Sequence, residues 1–461
     1  MLPELFLQRM QDELGDDYPA FLASYDQERH QALRLNPLKR VESGESMVKA
    51  LTALFGLEKV PWAQNGFYYN PESSPGRHPY HEAGLYYIQE PSAMAPVGFM
   101  DIKPGDRVLD LCAAPGGKST QIGAYLGGRG LLVSNEIHPT RAKILSENVE
   151  RMGLANTCVT NESPENLAER FPSYFDRILV DAPCSGEGMF RKNEVALTEW
   201  SVENVEACAK RQDGILDAAM RMLRPGGRLV YSTCTFASDE NAGSIKRFLE
   251  RCPEMHPVNG LEFCITRDEK IPFDGMLQLY PHRVRGEGHF LAVLEKNGSM
   301  QEGDRRVTVG RTSPFLPAKE CKEWLQFEEM FLRRPIESVV YHGDKGGLLL
   351  FGENLYLVPE EFPDLSGIKV LRPGLHLGTM KKNRFEPSHA LALVLGPGDV
   401  RNACLLSSNQ LVVRQYLNGQ TFAYEGEKGW FLVCVDGVSL GWGKLAGGIM
   451  KNHYPKGLRI A

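Results

Sequence analysis

Residues 108–120 (VLDLCAAPGGKST) constrain the fold of this chain more than any other stretch. The short, mostly apolar run at 108–111 predicts a buried strand of a parallel sheet. The Pro-Gly-Gly sequence at 115–117 then imposes a tight turn, after which a helix can begin at Lys118. A strand, a glycine turn and a helix N-terminus together predict a concave binding site at the carboxyl edge of a sheet.

The glycines alone do not identify a ligand, because their spacing matches neither G-x-G-x-x-G nor a Walker loop. A second apolar strand, predicted at 131–136, ends in Glu136 about 20 residues further on. A carboxylate at that distance typically holds the ribose hydroxyls of a nucleotide-type ligand. The alternative is that Glu136 only caps the helix predicted at 139–152. We expect ribose binding.

Length and composition exclude several classes of protein. The chain has 461 residues, so two to four domains are expected, and 42% hydrophobic with 24% charged residues is typical of a globular chain. No apolar run reaches the roughly 18 residues that span a bilayer, and the N-terminus lacks a secretion signal. The ten cysteines form no C-x-x-C pair, which disfavours zinc or disulfide frameworks. We therefore expect a cytoplasmic protein with reduced thiols and no metal.

Residues 89–296 alternate predicted strands and helices, as βαβ units do. An antiparallel pair at 276–281 and 289–296 closes this region. Five parallel strands and this hairpin predict an α/β domain with a seven-stranded, mostly parallel sheet, the Rossmann-like class I methyltransferase architecture. The five parallel strands are predicted at 107–112, 131–136, 157–161, 177–181 and 228–234, and the longest helix at 202–223.

A small N-terminal α/β domain is predicted at 1–88, with helices at 3–14 and 44–55 and strands at 31–36 and 66–69. Arg34 lies in one of these strands, where we expect a surface charge rather than a phosphate contact. A polar linker is predicted at 297–312.

Beyond the linker, short β-type runs predict a β-rich connector at 313–385 and a compact β-barrel-like domain at 386–461. Strands are expected at 337–341, 369–373 and 411–416, and a helix-like stretch from Lys381 that includes 388–395. Residues 371–461 carry eleven lysines and arginines against five acidic residues, a net charge of +6 that leaves −12 elsewhere. A basic end on an acidic protein suggests an anionic partner there, although a solvated surface explains it equally well.

Two cysteines lie at the ends of neighbouring predicted strands. Cys184 follows the strand that ends at Asp181, and Cys234 ends the next one, 50 residues later. Either cysteine alone is more often a small buried hydrophobe. Both together, each followed by Ser or Thr at the carboxyl edge of a doubly wound sheet, indicate an active site that also includes Asp181.

The chemistry of such thiols is open among acyl transfer, redox reactions and conjugate addition. A Cys–His pair is poorly supported, since His282 and His289 are the nearest candidates, and two separate loops do not make a C-x-x-C redox pair. Conjugate addition suits an adjoining cofactor pocket. A thiolate that adds to C6 of a pyrimidine makes C5 enamine-like, Asp181 can steady N3, and a second group must then help to eliminate the thiol.

Three motifs resemble the signature set of the RNA cytosine-C5 methyltransferases, the Nol1/Nop2/Sun family: CAAPGGK at 112–118, DAPCSG at 181–186 and STCT at 232–235. The resemblance covers about residues 87–296. Within the family, PCSGEGMFRK at 183–192 and FEPSHALA at 385–392 are similar to the bacterial RsmF-type enzymes of 16S rRNA. Those enzymes carry a PUA-like RNA-binding domain, which suits the basic, β-rich C-terminal end.

The resemblance implies S-adenosyl-L-methionine as methyl donor and 16S rRNA or the small ribosomal subunit as partner, and we expect a monomer. It implies that Cys234 is the nucleophile and that Cys184 assists release. The residues themselves leave a rival open, since DNA cytosine methyltransferases carry their nucleophile in a Pro-Cys motif, here Pro183-Cys184. The implied cofactor contacts are Cys112, Ala113, Ala114, Pro115, Gly116, Gly117, Lys118, Glu136, Arg141 and Asp181.

One segment departs from the family pattern, which commonly has an aspartate near the adenine after the third strand. Here Asn161, Glu162 or Ser163 must replace it. Two other functions also remain open: a non-catalytic RNA-binding or ribosome-assembly protein, and a cytosine-C5 methyltransferase of tRNA or DNA. The intact Asp181 and the two thiols favour catalysis, because a pure binder needs neither cysteine.

Overall fold

The structure is a computed structural model that describes residues 2–39, 44–192, 194–266, 268–299 and 315–459. Residues 300–312 of the predicted linker lie outside these ranges. The predicted domain boundaries stay predictions, and the sheets are described below as the structure forms them.

The N-terminal part of the chain comprises two leading helices and a small sheet. The predicted helices at 3–14 and 44–55 and the strands near 31–36 and 66–69 are confirmed, with ends that differ by a few residues. Four antiparallel strands form the order β2-β3-β1-β4. The elements are α1 (Glu4–Leu14), α2 (Tyr18–Ala23), β1 (Ala32–Leu35), α3 (Gly44–Phe55), β2 (Glu58–Lys59), β3 (Gly66–Tyr68), α4 (Pro79–Glu82) and β4 (Tyr86–Ile88).

The central sheet contains all five predicted parallel strands, which are almost entirely buried, as a sheet covered on both faces requires. Its strands and helices are α5 (Ala95–Gly98), β5 (Arg107–Asp110), α6 (Gly117–Leu126), β6 (Leu131–Asn135), α7 (Pro139–Arg151), β7 (Thr157–Thr160), α8 (Pro164–Arg170), β8 (Phe175–Asp181), α9 (Glu194–Glu199), α10 (Val202–Met222), β9 (Leu223–Thr233), α11 (Ala242–Arg251), β10 (Met255–Pro257), β11 (Leu261–Cys264), β12 (Lys270–Phe273), β13 (Met276–Leu279) and β14 (His289–Lys296).

The parallel strands run in the order β9-β8-β5-β6-β7. The chain therefore leaves β5 in one direction through β6 and β7, and returns on the other side through β8 and β9. This reversal places a topological switch point between β5 and β8, where doubly wound sheets bind their ligands.

The predicted count of seven strands is corrected to nine. The antiparallel pair β13 and β14 is present as expected, but β10 also pairs with β14, next to β13 on the edge opposite β9. The ninth strand, β17 (Val370–Arg372), pairs antiparallel with β7, although we assigned this segment to the connector. It covers the edge strand β7, whose N–H and C=O groups would otherwise lack partners in the sheet.

The C-terminal part of the chain contains two further sheets, one of four strands and one of five. The four-stranded sheet has the order β15-β16-β18-β19, and the five-stranded sheet has the order β20-β22-β23-β24-β21. The elements are α12 (Lys322–Phe331), α13 (Ile336–Val340), β15 (Gly346–Phe351), β16 (Asn354–Pro359), β18 (Leu375–Lys381), β19 (Arg384–Pro387), α14 (His389–Val394), β20 (Ala403–Leu406), α15 (Leu411–Leu417), β21 (Phe422–Ala423), β22 (Gly429–Val435), β23 (Val438–Ala446) and β24 (Ile449–Asn452).

Two local predictions in this part are wrong, and a third is confirmed in its second half only. Of the helix-like stretch expected from Lys381 with 388–395, the first part forms β19, whereas α14 confirms the helix in the second part. The expected strands at 337–341 and 411–416 are the helices α13 and α15. In both helices the buried side chains recur at i, i+3 and i+4, so each helix buries one face, although β-branched residues favour a strand locally.

The first and last parts of the chain share a hydrophobic core. Leu33 and Tyr86 of the N-terminal sheet and Phe55 of α3 belong to the same buried cluster as Tyr416 of α15 and Val433 of the five-stranded sheet. The two ends of the chain therefore pack against each other. Within the described ranges, no helix combines the length and apolar character needed to cross a membrane.

Candidate active site

The turn after β5 is held by contacts to α7. Gly116 has a φ of 116°, and a Cβ on it would lie 3.2 Å from Leu145 and 3.3 Å from Asn148 of that helix. Asn148 Nδ2 donates to the carbonyl of Pro115 at 2.8 Å, and Arg141 Nη2 donates to the preceding carbonyl, of Ala114, at 2.7 Å. The loop is thus fixed from one side, and α6 begins directly behind it with N–H groups that no earlier helical turn can satisfy.

Arg34 of β1, in the N-terminal sheet, binds the same turn, so the expectation that it is a surface charge is wrong. Its guanidinium is buried and donates to the carbonyl of Gly117 at 2.9 Å and to Thr120 Oγ1 at 2.6 Å. Gln89 Oε1 accepts a third hydrogen bond at 2.5 Å, and burial lowers the pKa of Arg34 to about 10. The sequence of the four-residue strand β1 does not indicate this role, because the groups that Arg34 binds lie 55 or more residues further along the chain.

Glu136 is buried at the end of β6 with two polar contacts. Its Oε1 accepts a hydrogen bond from the backbone N–H of His138 at 2.8 Å, and its Oε2 lies 3.4 Å from Arg141 Nη1. His138 is the N-cap residue of α7, so the capping alternative accounts for one carboxylate oxygen. The other oxygen lies on the side of Arg141, the residue that also binds the glycine turn.

The three candidates for the adenine contact all make hydrogen bonds inside the protein. Asn161 Nδ2 donates to two backbone carbonyls after β6 at 2.7 and 2.8 Å. Glu162 Oε1 accepts from the backbone of Lys369 at 2.7 Å, and Ser163 Oγ caps α8. These contacts fix the segment against both β6 and the strand β17.

Asp181 and Lys118 meet across the switch point. Lys118 Nζ lies 2.8 Å from Asp181 Oδ2, and Ser232 Oγ donates to Asp181 Oδ1 at 2.8 Å. Burial opposes the charged form of Asp181, but Lys118 and then His289 outweigh it and hold the pKa of Asp181 below its usual range. His289 Nε2 lies 3.7 Å from Asp181 Oδ1. Burial lowers the pKa of His289, which favours the neutral imidazole beside the carboxylate.

Asp110 lies beneath the glycine turn as a buried carboxyl group. Ser119 Oγ donates to its Oδ2 at 2.7 Å, whereas Oδ1 has no partner among the residues that the structure describes. Burial raises the pKa of Asp110 to about 7. Asp110 is the charged residue that interrupts the mostly apolar strand predicted at 108–111, and no role was predicted for it.

The two predicted thiols lie together. Cys184 Sγ and Cys234 Sγ are 3.4 Å apart, both cysteines are reduced, and both are partly exposed. The hydrogen bond to Cys234, followed by burial, raises the pKa of the Cys184 thiol well above its usual value. The Cys184 loop reaches Cys234 closely, because the N–H of Gly188 donates to the Cys234 carbonyl at 2.8 Å and a Cβ at position 188 would lie 2.9 Å from that oxygen.

Glu187 links these loops to α1, a contact that sequence reasoning missed. Its fully buried carboxylate accepts hydrogen bonds from Arg9 at 2.7 Å, from Trp200 Nε1 at 2.8 Å and from the N–H of Phe236 at 3.0 Å. The helix α1, for which no role in the site was predicted, therefore packs on the loops that carry Cys184 and Cys234. An acidic residue inside a glycine-rich loop was the only local signal.

The predicted site residues thus form one continuous edge. Lys118, Asp181, Cys184 and Cys234 meet around the ends of β5, β8 and β9, while Glu136 and Arg141 lie on the other side of the glycine turn, at the ends of β6 and α7. A parallel sheet with this strand order, an antiparallel closing strand and this binding edge is the class I methyltransferase fold.

Comparisons with known proteins agree with this class and narrow it. Family models match residues 2–91 (N-terminal domain of 16S rRNA methyltransferase RsmF), 97–295 (16S rRNA methyltransferase RsmB/F), 327–395 (RsmF rRNA methyltransferase first C-terminal domain) and 406–460 (methyltransferase RsmF PUA domain). The chain belongs to the ribosomal RNA small subunit methyltransferase F family.

Full-length relatives and solved structures are consistent with that assignment. Ribosomal RNA small subunit methyltransferase F of Erwinia tasmaniensis is 33% identical over 99% of this chain and 96% of that protein. The relative of the same name from Aeromonas salmonicida is 34% identical over 95% and 92%. A methyltransferase homolog protein from Pyrococcus horikoshii is 29% identical, with a TM-score of 0.55, over 64% of this chain and 95% of that one. NSun6 from the same organism, determined with SFG, is 21% identical, with a TM-score of 0.57, over 64% and 99%, and supports the fold alone.

Proposed function

We propose that this protein is an S-adenosyl-L-methionine-dependent methyltransferase that modifies C5 of cytosine in 16S rRNA through a covalent adduct between Cys234 and C6. The observation that carries the proposal is the thiol pair, with Sγ atoms 3.4 Å apart, beside the Lys118–Asp181 pair at the switch point. The family membership and the names of the full-length relatives support an rRNA substrate. The predicted roles of the site residues are part of this proposal.

The residues present fit the proposed cofactor. Gly116 lets the turn at 112–118 pack closely against α7, and α6 begins at the end of this turn, where the first N–H groups of a helix have no partner within the helix. Glu136 would hold the ribose hydroxyls, Arg141 would support it, and Asp181 would lie near the methionine end. Asn161, Glu162 or Ser163 would adjoin the adenine. When bound, S-adenosyl-L-methionine supplies an electrophilic methyl group.

The chain's own residues would then prepare the cytosine ring. The Cys234 thiolate forms a bond to C6, the C5–C6 π electrons shift toward C5 and the conjugated ring, and C5 takes the methyl group. Asp181 would face N3, and the Lys118 ammonium paired with it at 2.8 Å would offset the negative charge that develops there. Cys184 Sγ lies 3.4 Å from the attacking sulfur and takes no part in this step.

Release requires a second group, and Cys184 is suitably placed. It gives its own proton to solvent and, as a thiolate, takes the C5 proton. The C5–H electron pair forms the C5=C6 double bond, and the S–C6 pair returns to Cys234. One proton is therefore released to solvent for each methyl group transferred.

The five-stranded C-terminal sheet would contribute RNA binding. Trp430, Lys444 and Lys451 are opposite one another on the neighbouring strands β22, β23 and β24, so they form a row on one face. Lys444 Nζ lies 5.0 Å from the centre of the Trp430 ring, and the His453 ring centre lies 4.6 Å away. Two exposed lysines directly opposite each other repel, which a bound phosphate would relieve.

The proposal is tested with the purified full-length protein and S-adenosyl-L-methionine labelled in the methyl group. Naked 16S rRNA, small ribosomal subunits and tRNA are offered separately, and bisulfite sequencing locates the modified base. We expect 5-methylcytosine in 16S rRNA, absent with the Cys234→Ala variant. Modification of tRNA alone would show that tRNA, and not 16S rRNA, is the substrate. RNA binding without any methyl transfer would favour the non-catalytic alternative. Bisulfite sequencing of total RNA from a deletion strain names the cytosine.

A further inference from the structure

The side chain of Glu240 holds the loop that carries Cys184. Glu240 lies between β9 and α11 and is fully buried. Its Oε1 accepts a hydrogen bond from Ser185 Oγ, and its Oε2 accepts one from the backbone N–H of Ser185 at 3.0 Å. Both oxygens therefore bind the residue directly after Cys184.

Gln212 of α10 completes this hold from the other side of Cys184. Its Nε2 donates to Glu240 Oε2 at 3.0 Å and to the carbonyl of Pro183 at 3.1 Å. Its Oε1 accepts from Ser244 Oγ at 3.0 Å, which fixes the orientation of the amide. The residues before and after Cys184 are thus both tied to one buried carboxylate–amide pair.

The loop of Cys234 has a separate support, the neighbouring residue Asn241. Thr233 Oγ1 donates to Asn241 Oδ1 at 2.5 Å, and Asn241 Nδ2 donates to the carbonyl of Thr235 at 3.0 Å. The side chain of Glu240 makes none of these contacts. Ser185 Oγ and Thr235 Oγ1, directly after the two cysteines, are joined by a hydrogen bond of 2.9 Å, and further along the Glu187 carboxylate accepts from the N–H of Phe236 at 3.0 Å.

We propose that Glu240 is a positioning residue for the release step, whereas its neighbour Asn241 positions the thiol that attacks. The inference rests on the proposed function, because it assigns the two supports to the two chemical roles of Cys184 and Cys234. Glu240 touches no reacting atom. It holds the Cys184 sulfur where it receives the C5 proton, so that the C5=C6 double bond re-forms and the S–C6 electron pair returns to Cys234.

Burial raises the pKa of Glu240 to about 7, so the carboxyl group exchanges its proton within the neutral range. The protonated form can still accept from the N–H of Ser185, and an amide in its place can do the same. Glu240→Gln is therefore the conservative variant, while Glu240→Ala removes the contacts to Ser185 and Gln212 together.

The test uses the full-length protein with 16S rRNA and S-adenosyl-L-methionine, and it measures turnover together with protein–RNA conjugate on a denaturing gel. We expect Glu240→Ala to lose turnover on the order of tenfold to a hundredfold and to accumulate conjugate although Cys184 is present. Glu240→Gln should regain most turnover and lose the conjugate. Asn241→Ala, the matched control, should lose turnover without conjugate. Ser185→Ala removes only the Oγ contact to Glu240 and keeps the N–H contact, so it should accumulate less conjugate than Glu240→Ala.

A purely structural role for Glu240 would lower turnover without trapping an adduct. Cys184→Ala is therefore run in parallel. If it traps conjugate and Glu240→Ala and Ser185→Ala do not, this inference is overturned while the proposed function stands. If none of the three variants traps conjugate, the release role of Cys184 and this inference fall together.

Discussion

The sulfur atoms of Cys184 and Cys234 lie 3.4 Å apart in the fold although 50 residues separate them in the chain. They meet because β8 and β9 are adjacent and parallel, with Asp181 opposite Ser232, so both strands deliver their next residues to the same edge. At this distance a cytosine ring bound against one sulfur also lies within reach of the other. The two thiols can therefore divide attack and release between them.

The two cysteines should fail differently when each is replaced. Cys234→Ala cannot form the adduct and should be inactive without conjugate. Cys184→Ala can still attack and transfer one methyl group, so it should accumulate as a protein–RNA conjugate, visible as a slow band on a denaturing gel. The opposite pattern, with conjugate only in Cys234→Ala, would assign the nucleophile to the Pro183-Cys184 motif instead.

Removal of the Glu136 carboxylate should weaken cofactor binding. We expect Glu136→Ala to lose about 1–3 kcal/mol of binding free energy for S-adenosyl-L-methionine, the usual cost of a lost buried hydrogen-bonded group. Isothermal titration calorimetry measures this directly. Glu147→Ala, an exposed position on the following helix α7, is the matched control and should bind as the wild type does. Unchanged affinity in Glu136→Ala would remove Glu136 from the ribose role and leave only its contact to His138.

The basic C-terminal sheet should bind RNA mainly through phosphates. The affinity of the full chain for its rRNA should fall steeply with salt, with a slope of about −0.7 per phosphate contact on single strands. Replacing both Lys444 and Lys451 by alanine should reduce the magnitude of that slope by about 0.7 for each lysine. Fluorescence anisotropy over a salt series measures it, with Lys210→Ala on α10 as an exposed control. An unchanged slope in the double variant would exclude this row from the interface.

Stability should depend on pH through Asp110. Burial raises its pKa from 3.8 to about 7, so the folded protein binds this proton more tightly than the unfolded chain does. The free energy of unfolding should therefore fall as the pH rises through this window, by at most about 1.4 kcal/mol per pH unit from this group. Asp110→Asn should flatten the curve, whereas Asp344→Asn, at an exposed position, should not. Urea unfolding of the cofactor-free protein measures both, and parallel curves for wild type and Asp110→Asn would contradict the assignment.

The local sequence predicted the parts of the fold that depend on one element at a time. The mostly apolar runs that became β5 to β9 are largely buried on both faces, and that burial is visible as short hydrophobic runs without strict alternation. The order of motifs then placed Lys118, Asp181, Cys184 and Cys234 at strand ends, and parallel strands collect such ends at one edge.

The same reasoning failed where a remote segment supplies the environment. The strand β17 joins β7 across some 200 residues of sequence, and Arg34 is buried only because α6 of another unit packs over its strand. The helix α15 formed in place of a strand because tertiary packing outweighed its β-branched residues. A periodic pattern reports that a face is buried, but it does not report what covers it.

By itself, therefore, the sequence determined the Rossmann-like sheet, the glycine turn, the position of the candidate site residues at the sheet edge and the family, since each follows from short-range patterns. Only the tertiary structure decided how those residues are held. Glu240 and Asn241 lie outside the quoted motifs, and Glu187 lies inside one without a predicted role, yet each fixes a thiol loop through hydrogen bonds to groups brought close by folding. Such partners are invisible in sequence because a buried carboxylate or amide is defined by its donors and acceptors, and these lie far away along the chain.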